Sequence, residues 1–448
     1  MKNILVFGAG LSSSYLFKYL RAHAAKENWR IGICDANQEL AKAKAALSKH
    51  CFVVACEVTN DEQRNASIAK QDLVISLLPP ALHILIATSC IVNKVPLVTA
   101  SYVSAEMQKL DADAKKAGIL LLNEIGLDPG IDHLSAMKMI DEIQAKGGKI
   151  NSFKSFCGGL VAPEFDNNPW KYKFTWNPQN VVMAGQSTAT YLQDGKTKYI
   201  PAHQIFKQTQ TVKVPGLGNF EAYANRDSIS YIEPYKLKNA KTVLRGTLRR
   251  TGFCNNWQNL IELGLTDASK SIQGLEKVSY RDFIASFVPV QGNESLEKAL
   301  ANYLSIKQNS SLFKNIEWLG LLKNEKIGFT TATPSQVLLK CLLNKWQLKK
   351  HELDMVVMKH EIDYTLNKKH FHVGSSMVIK GEDQTYTAMA KTVGLPMAIA
   401  SKLILNGTIK ETGVHIPISP IFYEPILKEL KTFEIDFKEK TQVLSSHK

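Results

Sequence analysis

The chain has few cysteines and no framework for them. Its seven are scattered, with no CxxC pair and no regular spacing. A disulfide-stapled scaffold is therefore excluded, and reduced thiols inside a cell are expected. No apolar run reaches the roughly 18 residues that a membrane helix needs. The N-terminal "MKNILVFGAG" enters a strand and a glycine turn, without the apolar stretch and cleavage site of a signal peptide. The expectation is no membrane partner and a cytoplasmic location, or a mature form that has lost a transit peptide. No internal repeat or low-complexity tract occurs, apart from a polar basic tail after Phe437. Lys and Arg (55) outnumber Asp and Glu (41), for a net charge of +14. Basic runs such as "KHELDMVVMKHEIDYTLNKKH" are interleaved with acids, so no nucleic-acid stripe stands out. Two readings of the charge stay open: a solvated basic surface, and a positive cleft that gathers an acidic substrate.

At 448 residues, 45% hydrophobic and 21% charged, the composition is that of an ordinary globular protein of two or three domains. Over the first 125 residues short apolar runs recur: "ILVF" (4–7), "IGIC" (31–34), "FVVAC" (52–56), "LVISLL" (73–78), "PLVTA" (96–100) and "ILLLN" (119–123). Their spacing is that of a strand plus a crossover helix. Helical patterns lie between them over Leu11–Lys26, Glu39–Ser48, Pro80–Asn93 and Ser104–Lys116. The fold class is α/β: a Rossmann-type, doubly wound parallel sheet, followed by an α+β substrate domain with a helical insertion.

The first run ends in "GAGLSSS". Gly8 and Gly10 match the first two positions of GxGxxG, and Ser13 replaces the third glycine. Such a turn lets the backbone approach a pyrophosphate, and a helix starting at Leu11 and Ser12 aims its N–H groups at it. Asp35 closes the second strand, where an acid binds the ribose hydroxyls of an adenosine and repels a 2′-phosphate. NAD is expected from this, with NADP less favoured. Ser76, Leu77 and Leu78, then Ser101 and Tyr102, end later strands on the rim where such sheets bind ligands.

After His133 the pattern changes. "LSAMKMIDEIQAKGGK" reads as a helix ended by Gly147-Gly148, and strand-like pieces with turns follow, including "KINSFKSFCGGLVAPE", "YKFTWNP" and "ATYLQDGKTKYIP". From about Asn256 to His351 the chain turns helical, "MVVMKHEIDYTL" and "KHFHVGSSMVIKG" resemble paired strands, and "YTAMAKTVGLPMAIASKLILNG" is a long helix rich in small residues. The division expected is 1–127 for the dinucleotide domain, with a helix near 386–408 packing back on it. Residues 128–255 and 352–448 form the substrate and dimerisation domain, and 256–351 the insertion.

One stretch, "NEIGLDPGIDH" (Asn123–His133), crowds Glu124, Asp128, Asp132 and His133 around a Pro-Gly turn. It can be read as a metal site, an acid–base centre or an acidic strand-to-helix connection. The metal reading is weak, because no helical i, i+4 ligand pair with a distant third ligand is present, and no metal is expected.

Read together, "SLLPPALH", "TASYVS", "NEIGLDPGIDH", "SFCGGLVAPE", "NNPWKYKFTWNP", "ANRDS", "LRGTLRRTGF" and "MAKTVGLPMAIASKLILNGTI" resemble, in order over roughly 74–408, the L-glutamate-forming saccharopine dehydrogenases, also called saccharopine reductases. The resemblance implies oxidation of saccharopine at its lysine-side C–N bond to an imine. Hydrolysis of the imine then gives glutamate and 2-aminoadipate 6-semialdehyde; the reverse is a reductive condensation. It implies a nicotinamide cofactor, a small-molecule substrate and a homodimer. It places Asp128, Cys157 and Tyr102 at the reacting nitrogen. Asp128 is the best candidate to polarise the amine, while Cys157 and Tyr102 either shuttle protons or line the pocket. Ser101, Tyr102, Asp128, Arg226, Thr247, Leu248 and Arg249 match substrate-binding positions; the two arginines suit a substrate with three carboxylates. Gly8, Gly10, Leu11, Ser12, Ser13, Asp35, Ser76, Leu77, Leu78 and Ser101 match the cofactor side. The chain departs from the family at Ser13, Ser14, Val161, Trp170 and Ala224. Carboxynorspermidine dehydrogenase, another imine reductase, is the alternative on the same scaffold.

Overall fold

A computed structural model describes residues 1–444. By internal contacts the chain divides into two compact units. One contains Met1–Lys149, Leu366–Lys369 and Met377–Lys440; the other contains Ile150–Thr365, His370–Ser376 and Thr441–Leu444.

The first unit is built on a parallel sheet. Its strands are β1 (Lys2–Phe7), β2 (Trp29–Cys34), β3 (Cys51–Val53), β4 (Leu73–Ser76), β5 (Leu97–Thr99) and β6 (Leu120–Leu122), in the order β3-β2-β1-β4-β5-β6. All six apolar runs read from sequence form strands. Ile4 to Phe7 and Leu73 to Ile75 are fully buried, as helices on both faces of a sheet require. The chain winds outward from β1 to β3 and crosses once to the other side of β1, between β3 and β4; because the strands are parallel, the carboxyl ends of β1, β4 and β5 share one rim. A polar helix, Asp61–Ile68, supplies the β3-to-β4 connection.

A seventh parallel strand, Gly413–His415, pairs with β6. From sequence, residues 352–448 belong to the substrate domain apart from a helix near 386–408 that packs back on the dinucleotide domain. The contacts put that helix in the first unit and, beyond the expectation, the rest of 377–440 with it, because this strand and two helices pack there. Helix Ala388–Leu405 lies along helix Ser14–Ala24, and a Cβ on Gly394 would come within 2.6 Å of the Leu16 backbone nitrogen. Tyr15 donates to Glu382, Tyr19 donates to Glu429, and Lys402 pairs with Glu429 at 2.6 Å. The helix is 18 residues long and apolar enough, by length and composition, to cross a membrane, although no run of that length was anticipated. Most of it is buried inside its unit, so its apolar surface serves packing.

The second unit carries a mixed sheet. Its order runs Thr209–Val214, Gly218–Ala224, Thr242–Arg250, Lys149–Val161, Asp354–Leu366 and Lys369–Lys380. The hairpin Ala189–Gln193/Lys196–Ile200 turns at Asp194-Gly195, both left-handed (φ 51° and 76°), as expected for an Asp-Gly turn. "YKFTWNP" forms no strand; Tyr172 and Phe174 are core instead, and Trp176 packs half-buried against it. The helices of 253–345 share one apolar cluster with the sheet.

The approach of the two helices at Gly394 yields a test. Gly394→Ala should destabilise the protein by about 1–3 kcal/mol through overpacking, read as a lower urea midpoint with an unchanged slope. An unchanged midpoint would show that the contact is not tight.

Candidate functional site

The glycine turn joins β1 to a short 3-10 turn, Leu11–Ser13, that runs into helix Ser14–Ala24. Gly8 is left-handed (φ 100°), and a Cβ there would press on the Leu77 backbone at 3.1 Å. A Cβ on Gly10 would meet nothing within 4 Å. The backbone is thus open to a ligand at Gly10 and packed against the end of β4 at Gly8. Leu11 is 74% exposed at the mouth of the turn, an unusual place for leucine. Ser13 is fully buried, and its hydroxyl donates to the Gly10 carbonyl at 2.7 Å. Open backbone ahead of a helix N-terminus suits a dinucleotide pyrophosphate.

Asp35 is engaged by the protein itself. Its carboxylate accepts the Ala9 N–H at 2.7 Å and the Asn37 N–H at 2.8 Å, tying the glycine turn to the end of β2. Its first role is to brace that turn.

On the same rim, Ser76 and Thr99 are the last residues of β4 and β5, and Ser101 follows two residues later. All three converge on His83. Its Nδ1 is 2.9 Å from the Ser76 hydroxyl, and its Nε2 is 2.7 Å from Ser101 and 3.4 Å from Thr99. Burial holds the His83 pKa down, from 6.5 to about 4, so the ring is neutral at ordinary pH. Next in the chain, the Tyr102 hydroxyl donates to Asp128 at 3.5 Å. Asp128 is half-buried, whereas its neighbours in Asn123–His133 are almost wholly buried.

Those neighbours have structural partners. Glu124, left-handed (φ 55°), accepts the Val103 N–H at 3.0 Å with one oxygen and meets His133 Nε2 at 2.8 Å with the other. Its own N–H donates to the Ser101 carbonyl at 3.1 Å. Asp132 accepts the Gly130 N–H at 2.6 Å, at the start of helix Ile131–Ala145. Among the described residues no group of three or more His, Cys, Asp or Glu is arranged to hold a metal ion.

In the second unit, Tyr223, Thr247 and Cys157 lie side by side on three adjacent strands. Arg249, two residues beyond Thr247, shares their face, because side chains alternate along a strand. Leu248 faces the other way into the core, and only its carbonyl serves the site, accepting from an Arg249 terminal nitrogen at 3.0 Å. Arg249 is 3% exposed. Its guanidinium lies 5.1 Å from the Tyr172 ring, 5.4 Å from Phe253 and 5.8 Å from Tyr223, and its Nε has no hydrogen-bond partner among the described residues. The nearby carboxylate of Glu221 instead accepts the Gly252 and Cys254 N–H groups at a helix start. Burial pushes the Tyr172 and Tyr223 phenols up, opposed by the Arg249 charge. The outcome is a buried cation in an aromatic box with, among the described residues, no carboxylate on it, a setting that favours an anionic ligand. Arg226 is exposed and left-handed (φ 52°), just beyond strand Gly218–Ala224.

Sequence reading passed over His83 as a site residue, along with the Tyr172 and Phe253 rings. His83 lies inside the motif "SLLPPALH", but nothing local marks a histidine as the partner of hydroxyls 7 to 18 residues away. The aromatic box comes from three separate segments.

Comparison with known proteins covers both units. Residues 4–122 match the model described as saccharopine dehydrogenase NADP binding domain, and residues 126–435 match saccharopine dehydrogenase C-terminal domain. The chain is 35% identical to the saccharopine dehydrogenase [NADP(+), L-glutamate-forming] of Saccharomyces cerevisiae, over 98% of this chain and 99% of that one. It is 34% identical to the mitochondrial alpha-aminoadipic semialdehyde synthase of Rattus norvegicus, over 99% of this chain but 48% of that longer protein. The solved structure of apo saccharopine dehydrogenase (L-Glu forming) from Saccharomyces cerevisiae superposes with a TM-score of 0.88 at 33% identity, covering 99% of this chain and 100% of that one. These findings overturn the preference for NAD over NADP. The matching domain model and the yeast relative are both named for NADP, and Asp35, engaged with two backbone N–H groups, is no clean reporter of the ribose.

The buried neutral His83 has a consequence for stability. Its folded pKa lies below the ordinary 6.5, so the unfolded chain takes the proton first and stability falls as pH drops from about 6.5 toward 4. Between pH 7.5 and 4.5 this group should account for about 2–3 kcal/mol of the loss. His83→Gln should lose correspondingly less over that span in urea melts. An identical pH dependence in the variant would contradict the neutral, buried ring.

Proposed function

The chain belongs to the saccharopine dehydrogenase family, and from that membership we propose that it oxidises saccharopine with NADP to glutamate and 2-aminoadipate 6-semialdehyde, or runs the reverse condensation. The observation that carries this reading is Arg249, a buried guanidinium without a carboxylate in a box of aromatic rings. A substrate with three carboxylates supplies the missing anion, and carboxynorspermidine, with fewer, uses such a site less fully. The relatives that span the chain are named for saccharopine or for aminoadipic semialdehyde, which removes the support for the carboxynorspermidine alternative.

Each residue then takes a role. Gly8, Gly10, Leu11, Ser12 and Ser13 hold the pyrophosphate by backbone N–H groups and the helix start. Ser76, Leu77, Leu78 and Ser101 line the rim on the nicotinamide side. Bound there, NADP supplies the hydride acceptor. Asp128, with Tyr102 donating to it, accepts a hydrogen bond from the substrate amine and polarises it. The amine must be neutral to release hydride, and water must lose a proton to attack the imine, so both steps call for a group near the nitrogen that holds a proton. Tyr102 and Cys157 are the candidates to pass it on. Arg249 and Arg226 bind substrate carboxylates, with Thr247 beside Arg249 on the sheet. A homodimer, which is the family expectation, and a cytoplasmic location, which is read from the sequence, belong to the same proposal.

The test is a steady-state assay of the full chain with saccharopine, comparing NADP with NAD. Reduced nicotinamide should form with NADP as the preferred cofactor. Arg249→Ala should raise the saccharopine KM about tenfold or more while leaving the NADP KM little changed. No saccharopine-dependent reduction of either cofactor would overturn the reading, and a wild-type KM in the variant would remove Arg249 from the site.

A further inference from the structure

At neutral pH an imidazole carries one ring proton, so one nitrogen donates and the other accepts. In His83 both are engaged by hydroxyls. Ser76 meets Nδ1 at 2.9 Å, and Ser101 meets Nε2 at 2.7 Å. The ring is 4% exposed and opens helix His83–Asn93, which places it beneath the ends of two adjacent strands, β4 and β5. Thr99 stands 3.4 Å from the same Nε2, and its hydroxyl accepts the Ser101 N–H at 3.3 Å. Packing alone would be served by an apolar side chain at such a site. Instead three hydroxyls on two strand ends share one ring.

We propose that His83 is a positioning residue for the reaction: anchored by Ser76, it holds the Ser101 hydroxyl at the rim and fixes whether that hydroxyl presents a donor or an acceptor to the bound ligand. The coupling follows from proton counting. If Nε2 carries the proton, Ser101 accepts from it and keeps its own O–H for the ligand. If Nδ1 carries the proton, Ser101 donates to Nε2 and turns only lone pairs outward. The Ser76 hydroxyl has the complementary choice on the other side of the ring. A single tautomer therefore sets the polarity of Ser101, and a ligand that demands one polarity selects the tautomer. This inference rests on the reading that Ser101 touches cofactor or substrate.

The experiment uses the full chain, saccharopine and NADP. A glutamine amide reaches the place of Nε2, while an asparagine amide stops near that of Nδ1. His83→Asn should lower kcat/KM by about tenfold or more, and His83→Gln should restore it to within about threefold of wild type. Ser101→Ala should also lower kcat/KM, and adding His83→Asn to it should cost less than about twofold further, because the effects of one unit do not multiply. An unaffected His83→Asn, or losses that multiply in the double variant, would overturn the proposal. If Ser101→Ala retains wild-type kinetics, then Ser101 leaves the site and the proposal falls with it. Multiplying losses with a damaged Ser101→Ala would sink the proposal alone. The wild-type ring gives an independent readout should the asparagine variant not fold. In protein with 15N-labelled histidine, His83 should be a single neutral tautomer whose ring shifts move when NADP and saccharopine are added together. Shifts that stay put would overturn the proposal without recourse to any variant.

Discussion

The rim of the first unit depends on one buried carboxylate. Glu124 sits in a left-handed backbone conformation, which costs a non-glycine residue of order 1 kcal/mol or more. It is held there because it joins two loops. One oxygen takes the Val103 N–H, the other meets His133, and its own N–H reaches the Ser101 carbonyl. The loop after β5 and the loop after β6 are thereby fastened to each other and to the helix that follows. Tyr102, between Ser101 and Val103, can reach Asp128 because both loops are fixed in this way. Without Glu124 the Val103 N–H would be left unpaired, and the rim would lose the link between its hydroxyl side and its acid.

Each unit carries its own chemistry. The first offers open backbone at a helix start, hydroxyls set by a neutral imidazole, and one half-buried acid. The second offers a cation stripped of water. Removing a guanidinium from solvent is costly unless an anion is supplied. Glu221, opposite Arg249 on the neighbouring strand, is committed to a helix start, and aromatic faces supply only part of the compensation. In the proposed function Arg249 takes its anion from the substrate, and a tricarboxylate fits that need.

Much of this was legible in the sequence. The six parallel strands were visible because buried strands read as continuous apolar runs at crossover spacing, and the glycine turn lay between strand and helix as it should. Longer motifs named the family, and Asp128 and Arg249 entered as the site candidates that the family implies. The three-residue strand Gly413–His415 was not legible, since it is too short for any periodicity and its place beside β6 is a matter of tertiary packing. Nor was helix Asp61–Ile68, whose residues are mostly polar. "YKFTWNP" alternates like a strand, but its rings are drawn into the core around Trp346. Asp35 misled for a physical reason: a carboxylate at the end of the second strand has the same sequence signature whether it reads a ribose or braces a turn. His83 was invisible as a site residue because its partners come from two strand ends, and sequence offers no distance between them.

The proposed reaction turns on hydride removal from the lysine-side carbon of saccharopine. The most direct measurement follows deuterium placed at that carbon, by mass spectrometry of the nicotinamide formed with NADP. The label should be transferred to the nicotinamide, with glutamate released unlabelled. Reduced NADP without deuterium would contradict it.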